Sequence, residues 1–183
     1  MTDFLQDHPE GQIIALDEMS LYFQATTTRV WSPIGETPLV RVSPQRDHTH
    51  FYGALNLRTG HEFALPSLEM NSETTTDFLR DLLVCYPTQP ILLLWDRAHW
   101  HKGQAVKALL EHYSRLETVF FPPACPDLNP QEHVWSQART AVSHNHTYST
   151  FQQLKYAFLN CLSLTLFRFD WLAKYAPAIL FEI

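Results

Sequence analysis

Residues 91–95 (ILLLW) form an unbroken apolar run between Pro90 and Asp96. The run is too short for a buried helix and has no polar alternation, so it reads as a strand covered on both faces. A strand of that kind needs helices above and below its sheet, which points to an α/β chain rather than a sandwich or a bundle. Residues 12–18 (QIIALDE) are a second short apolar strand, and residues 51–57 (FYGALNL) and 62–65 are two more, joined by the turn Arg58-Thr59-Gly60. Residues 29–31 and 39–42 read as strand pieces around the turn Ser32-Pro33-Ile34-Gly35. Helical spacing is clear in residues 74–85, with Phe78, Leu79, Leu82 and Leu83, and in residues 102–116, with Ala105, Leu109, Leu110 and Tyr113. Residues 119–121 are a short strand stopped by Pro122-Pro123; a helix opens at Asn129-Pro130 and runs to about residue 141, and a last helical region starts after residue 149 or 150. The order is β-β-β-α-β-α-β-α: an antiparallel opening, then βαβ units, in a mixed sheet flanked by helices.

The 183 residues suffice for one domain with a real core: 45% are apolar and 17% charged. Disorder, collagen, coiled coil and disulfide scaffold are excluded on composition. Cys85, Cys125 and Cys161 are far apart and form no CxxC pair, so zinc ribbons and thioredoxin-type motifs are excluded and a reducing cytoplasm fits best. The first residues, MTDFLQDHPEG, have neither the basic nor the apolar region of a signal peptide. The most apolar stretch, residues 156–172, is interrupted by Asn160, Arg168 and Asp170, so no membrane span is expected. Lys and Arg number 13 against 19 Asp and Glu, a net charge of −6. That balance argues against a self-sufficient nucleic-acid binder, but it suits an acidic site whose metal ions meet phosphate.

Three acids stand at comparable places. Asp17 is near the end of the first strand, Asp96 follows the ILLLW strand, and Glu132 lies in the first turn of a helix. Sites in open α/β sheets form at the carboxyl ends of strands, and a carboxylate beside so much apolar surface needs a partner. Magnesium, which takes a few carboxylates together with water and phosphate oxygens, is a natural one. Each acid also has a structural role open to it. Alternation leaves either Asp17 or Glu18 solvated, Asp96 can cap the turn after its strand, and Asn129, Pro130 and Glu132 have the spacing of a capping box. Among the neighbours, Arg97 and Lys102 can approach phosphate or screen the acids, and His133 can face the site or the surface. His99 and His101 beside Asp96 leave a transition-metal site without a third ligand. Trp95 and Trp135 read as core, and Cys125 has no nucleophilic partner.

The segment FPPACPDLNPQEHVW (residues 121–135) resembles the PPxxPxLNPxExxW signature of the DDE transposases in the mariner and bacterial insertion sequence six-thirty superfamily. LLLWDRAHWHKG resembles the family's second motif, a strand ending in Asp with His five positions on, here Asp96 and His101. IIALDE matches the first motif, and VWSPIGE the stretch after it. The 35 residues between Asp96 and Glu132 fit the family's spacing. Arg97 stands where Asn is common. The resemblance implies a ribonuclease-H-like fold: a mixed five-stranded sheet, three antiparallel strands and then βαβ units, flanked by helices, with extra C-terminal helices. The expected division is an N-terminal extension 1–11, a catalytic domain over residues 12–145 and a C-terminal helical extension of the same domain, 146–183. The resemblance implies two divalent ions, Mg²⁺ with Mn²⁺ as a substitute, held by Asp17 as bridging ligand with Asp96 and Glu132, and His101 supporting the site or meeting DNA. The activity implied is metal-dependent cleavage and strand transfer at transposon ends, acting on DNA in the cytoplasm at the bacterial nucleoid, as a homo-oligomer or with a DNA-binding region encoded upstream. The family's usual N-terminal helix-turn-helix is not seen in this sequence. Two other expectations remain: a catalytically silent remnant or partner subunit, and a stand-alone ribonuclease-H-like nuclease.

Overall fold

A computed structural model describes residues 1–24, 27–39, 45–123 and 125–180. Its elements are α1 (Thr2–Asp7), β1 (Gln12–Tyr22), β2 (His48–Asn56), β3 (Glu62–Ser67), α2 (Ser72–Cys85), β4 (Ile91–Trp95), α3 (Gln104–His112), β5 (Leu116–Phe120), α4 (Pro130–Val142) and α5 (Phe151–Leu164). Short 3₁₀ turns cover His99–Lys102, Pro126–Leu128, Asp170–Lys174 and Ala178–Leu180. The sheet order is β3-β2-β1-β4-β5. β1 pairs antiparallel with β2, and β2 with β3; β1 runs parallel to β4, and β4 to β5. This is the mixed five-stranded sheet expected. No helix among the described residues is long and apolar enough to cross a membrane.

All five β4 residues are buried, as a run without alternation requires. Leu92 and Leu94 join a core that includes Ile13 and Ala15 of β1, Val134, Trp135 and Ala138 of α4, and Phe158 and Leu162 of α5. Ile91, Leu93 and Trp95 face the other way, with Ile14 and Leu16 of β1, Phe78, Leu79 and Leu82 of α2, and Val106 and Leu109 of α3. Each such side chain contributes about 1.5–3 kcal/mol by leaving water, so both layers are strongly held to the sheet. α1 and the C-terminal turns belong to the first core, through Phe4, Leu5, Leu172 and Leu180. α1 had no signal in the sequence: six residues are too few to show a period.

Several boundaries differ from the sequence reading. β1 continues past residue 18 to Tyr22 because its pairing with β2 extends to His48. Residues 29–31 are not a strand; residues 27–39 are exposed and outside the sheet, and residues 40–42 lie outside the described residues. The segment lies in the connection between β1 and β2, which pair directly with each other, and Pro33 and Pro38 disfavour a strand there. The turn at Ile34-Gly35 does form, with Glu36 donating to the Pro33 carbonyl at 3.1 Å. The helix expected from 102 starts at Gln104, after Gly103, and ends at His112; Leu116 instead opens β5 by pairing with Ile91.

Gly53 of β2 lies opposite Asp17 of β1. A Cβ there would collide with the side chains of Gln131, Glu62 and Trp135, so only glycine lets α4 sit this close to the sheet. Gly53→Ala is expected to lower stability by about 1–3 kcal/mol in urea unfolding, as overpacking does; an unchanged midpoint would contradict this packing.

Candidate active site

The parallel register aligns Ala15 with Leu94. Two residues further along each strand come Asp17, still within β1, and Asp96, just past the end of β4, so both acids reach the same carboxyl edge of the sheet. The third acid arrives on α4. Asn129 is its N-cap: the side-chain oxygen accepts from the Gln131 backbone N–H at 3.1 Å, and Pro130 starts the first turn. The amide of the same Asn129 donates to Asp17 Oδ2 at 3.1 Å. One buried side chain therefore starts the helix and ties its start to β1. Glu132 does not close a capping box on Asn129, as its spacing had allowed; it is exposed and lines a cleft of about 490 Å³ together with Asp17, Asp96 and Asn129. The remaining wall is Arg97, Ala98, Phe121, Pro122, Pro123 and Cys125.

Neither Asp17 nor Glu18 is left in solvent. Alternation sends Asp17 toward α4, where it is 8% exposed, and Glu18 to the opposite face. There Glu18 Oε1 meets His101 Nε2 at 2.9 Å, while His101 Nδ1 meets Asp96 Oδ1 at 3.0 Å. The imidazole is buried and stacked on Trp95, with ring centroids 4.4 Å apart. Asp96 Oδ1 also accepts from the Ala98 N–H at 2.9 Å, which leaves Oδ2 as the oxygen without a partner among these contacts. Glu18 was legible only as the neighbour of Asp17; its partner lies 83 positions away.

The charges are unevenly balanced. Burial pushes the Asp17 carboxyl up to about 8; a hydrogen bond from the Glu18 backbone opposes this, and the charges of Glu18, Glu132 and Asp96 add to it. For His101, burial acts to lower the imidazole, but the hydrogen bonds to Asp96 and Glu18 and their charges outweigh it and raise it to about 9. Asp96 is held below the usual carboxylate range, first by its hydrogen bond from His101. His101 is thus a cation between two carboxylates, while Asp17, on the cleft side, has an amide for a partner and acids for neighbours.

Of the other residues singled out by sequence, Arg97 lies at the cleft, its Nε donating to the Phe121 carbonyl at 3.2 Å and its guanidinium 5.8 Å from the Phe120 ring centre. Lys102 is exposed and does not line the cleft. His133 packs against Trp171 and Phe169, with centroids 4.7 and 5.5 Å away, rather than facing the acids. Trp95 and Trp135 are core residues. Among the described residues, no three His, Cys, Asp or Glu side chains converge closely enough to hold an ion as they stand. The three acids line one cleft. Oxygen donors on three separate elements, one buried and short of a counter-charge, fit a hard divalent cation and suit no soft one.

Both shifted groups bear on stability in the same sense. Between its ordinary value of 3.8 and about 8, Asp17 keeps a proton in the folded chain that the unfolded chain has lost. His101 does the same between 6.5 and about 9. Where the folded state binds more protons, stability falls as pH rises. In EDTA, the melting temperature should therefore decline from pH 6.5 to about 9, and Asp17→Asn should flatten the part below about 8. A wild-type melting temperature that is level or rises over this interval would refute the assignment.

Comparison with known proteins identifies the family and the fold. The sequence model of the DDE superfamily endonuclease family matches residues 12–155. The Insertion element IS630 uncharacterized 39 kDa protein of Shigella sonnei is 22% identical over 149 residues, 81% of this chain and 43% of that protein. The chain thus spans less than half the length of this relative. Among solved structures, the Mos1 strand transfer complex superposes with a TM-score of 0.64 at 17% identity, over 84% of this chain and 47% of that one. The Mos1 mariner paired-end complex with Mn gives 0.63 at 18% identity, over 84% and 48%. The isolated catalytic domain of Mos1 mariner transposase gives 0.56 at 14% identity, over 92% and 89%, and it shares the ribonuclease-H-like sheet. With 144 of its 183 residues (12 to 155) inside the family model, the chain belongs to the DDE superfamily endonucleases.

Proposed function

We propose that this chain is the catalytic part of a transposase that cuts DNA at the ends of an insertion element and joins those ends to a new site. The observation that carries this reading is the cleft in which Asp17, Asp96 and Glu132, delivered by β1, β4 and α4, stand together. They would hold the divalent ions, Mg²⁺ or Mn²⁺ and two in number on this reading. Such ions polarise the phosphodiester and make a water or a DNA 3′-hydroxyl nucleophilic. The chain's own residues prepare the ligands. Asn129 occupies Asp17 Oδ2 and so orients that carboxyl. His101 and the Ala98 N–H occupy Oδ1 of Asp96, a residue that lines the cleft. Partners of this kind hold a ligand in place and tune its basicity. Arg97, on the cleft wall, is placed to meet a DNA phosphate.

DNA ends and a target are the partners this reading requires, and solved Mos1 complexes contain a transposon end and, separately, Mn or Mg. The acidic balance supports a second element of the reading: a DNA-binding region, from an upstream coding segment or another subunit of a homo-oligomer, brings the ends to the cleft. The site of action is the bacterial nucleoid.

The test is a nicking assay on DNA carrying the element ends, with Mg²⁺ or Mn²⁺ and with the upstream region supplied. Asp17→Asn, Asp96→Asn and Glu132→Gln should each lose cleavage by more than the roughly 10- to 100-fold that removal of a supporting partner costs, and His101→Gln should fall within that range. Wild type and variants that are equally inactive would favour the silent-remnant reading. Cleavage of RNA–DNA hybrids without end preference would favour a stand-alone nuclease.

A further inference from the structure

Under the first turn of α4 lies a part-buried polar pair that the proposed mechanism does not use. Gln131, fully buried, follows Asn129 by two positions and precedes Glu132 by one. Its Nε2 donates to Oε1 of Glu62, the first residue of the edge strand β3, at 2.6 Å. The other two oxygens, Glu62 Oε2 and Gln131 Oε1, are shielded from solvent and have no hydrogen-bond partner. Gly53 clears the space for both side chains, together with Trp135. Since Gly53 is paired with Asp17, the acid and the amide meet directly behind the cleft.

Two buried orphan oxygens in one pair pose a definite problem. Each is costly if left unsatisfied, and more so if the carboxyl is ionised. One proton resolves both: on Oε2 it makes Glu62 a donor, and Gln131 Oε1 is an acceptor that lacks one. The surroundings favour that proton. Burial raises the Glu62 carboxyl well above its ordinary value, against the hydrogen bonds from Gln131 and the Ala54 backbone. Among the ion pairs of the described residues none involves Glu62.

We infer that Glu62 is a neutral carboxylic acid joined to Gln131 in a reciprocal acid–amide pair, and that this pair is a positioning element for Glu132, seating the first turn of α4 on β2 and β3. Asn129 fixes that turn to β1 from one side, and Glu62 fixes it to β3 from the other. A buried polar group with all its bonds made holds one geometry, whereas an apolar contact tolerates several. The consequence for Glu132 rests on the reading of that residue as an ion ligand; the pair itself does not.

Three measurements test this: infrared spectroscopy at neutral pH, Mn²⁺ titration by calorimetry, and thermal melting, on wild type, Glu62→Gln, Glu62→Ala and Gln131→Met. The wild-type spectrum should contain a protonated-acid carbonyl band that Glu62→Gln removes. Glu62→Gln, which can form an amide–amide pair in the same place, should keep wild-type Mn²⁺ affinity. Glu62→Ala and Gln131→Met, measured below their melting temperatures, should weaken it by about 10- to 100-fold. Gln131→Met keeps the side-chain length and carries the test where Glu62→Ala fails to fold. Absence of the band overturns the acid–amide pair. Unchanged Mn²⁺ affinity in the alanine and methionine variants, or a Glu62→Gln variant as impaired as Glu62→Ala, overturns the positioning role. Wild type that binds no Mn²⁺ sinks the three-carboxylate reading and the positioning role with it, and the band alone then decides whether the pair exists.

Discussion

The site depends on the parallel pairing of β1 with β4. β4 is apolar on both faces and can only be central, and its register with β1 sends Asp17 and Asp96 to the same edge of the sheet. A slip of one residue would turn Asp17 away from α4 and bring Glu18 into its place. Pairing on the far side of β1 makes that slip expensive, since nine residues of β1 are in register with β2. The two hydrophobic layers reinforce the register, because each accepts only one set of alternate side chains.

That alternation also divides the electrostatic work. Glu18 faces His101 and is neutralised there within a buried group that also restrains Asp96. Asp17 faces the cleft, where an amide is its hydrogen-bond partner and other acids are its neighbours. The fold thus gives one of two adjacent carboxylates a fixed cationic partner and the other an amide. Burial first, and the neighbouring acids after it, raise the Asp17 carboxyl.

α4 completes the cleft from the other direction. Its start is over-determined: Asn129 caps it and reaches β1, Pro130 sets its first turn, Gln131 reaches β3, and Gly53 lets it approach. Glu132 projects from a helix end whose placement is shared by two strands. The family's segment around LNPxE thus has a mechanical explanation here, in which Asn and Pro start the helix and the acid follows on the side that faces the cleft.

Some of this was determined by the sequence alone. Period and punctuation are local, so β4, the helix beginning at Asn129-Pro130, the turn at Ile34-Gly35 and the buried face of α2 follow from neighbouring residues. The three acids could be named because their motifs are also local. Tertiary structure decided the rest. Residues 29–31 have strand-like side chains but are left outside the sheet, exposed in the connection between β1 and β2. Glu18 looked like the solvated half of an acidic pair until His101, 83 positions away, was brought against it. Asn129 was legible as a helix cap, while its bond to Asp17 spans 112 positions. Glu62 gave no local sign of being buried, because its environment is supplied by α4, 69 positions further on. A hydrogen bond between distant segments has no periodicity to reveal it; only the packing that brings those segments together determines which polar groups meet.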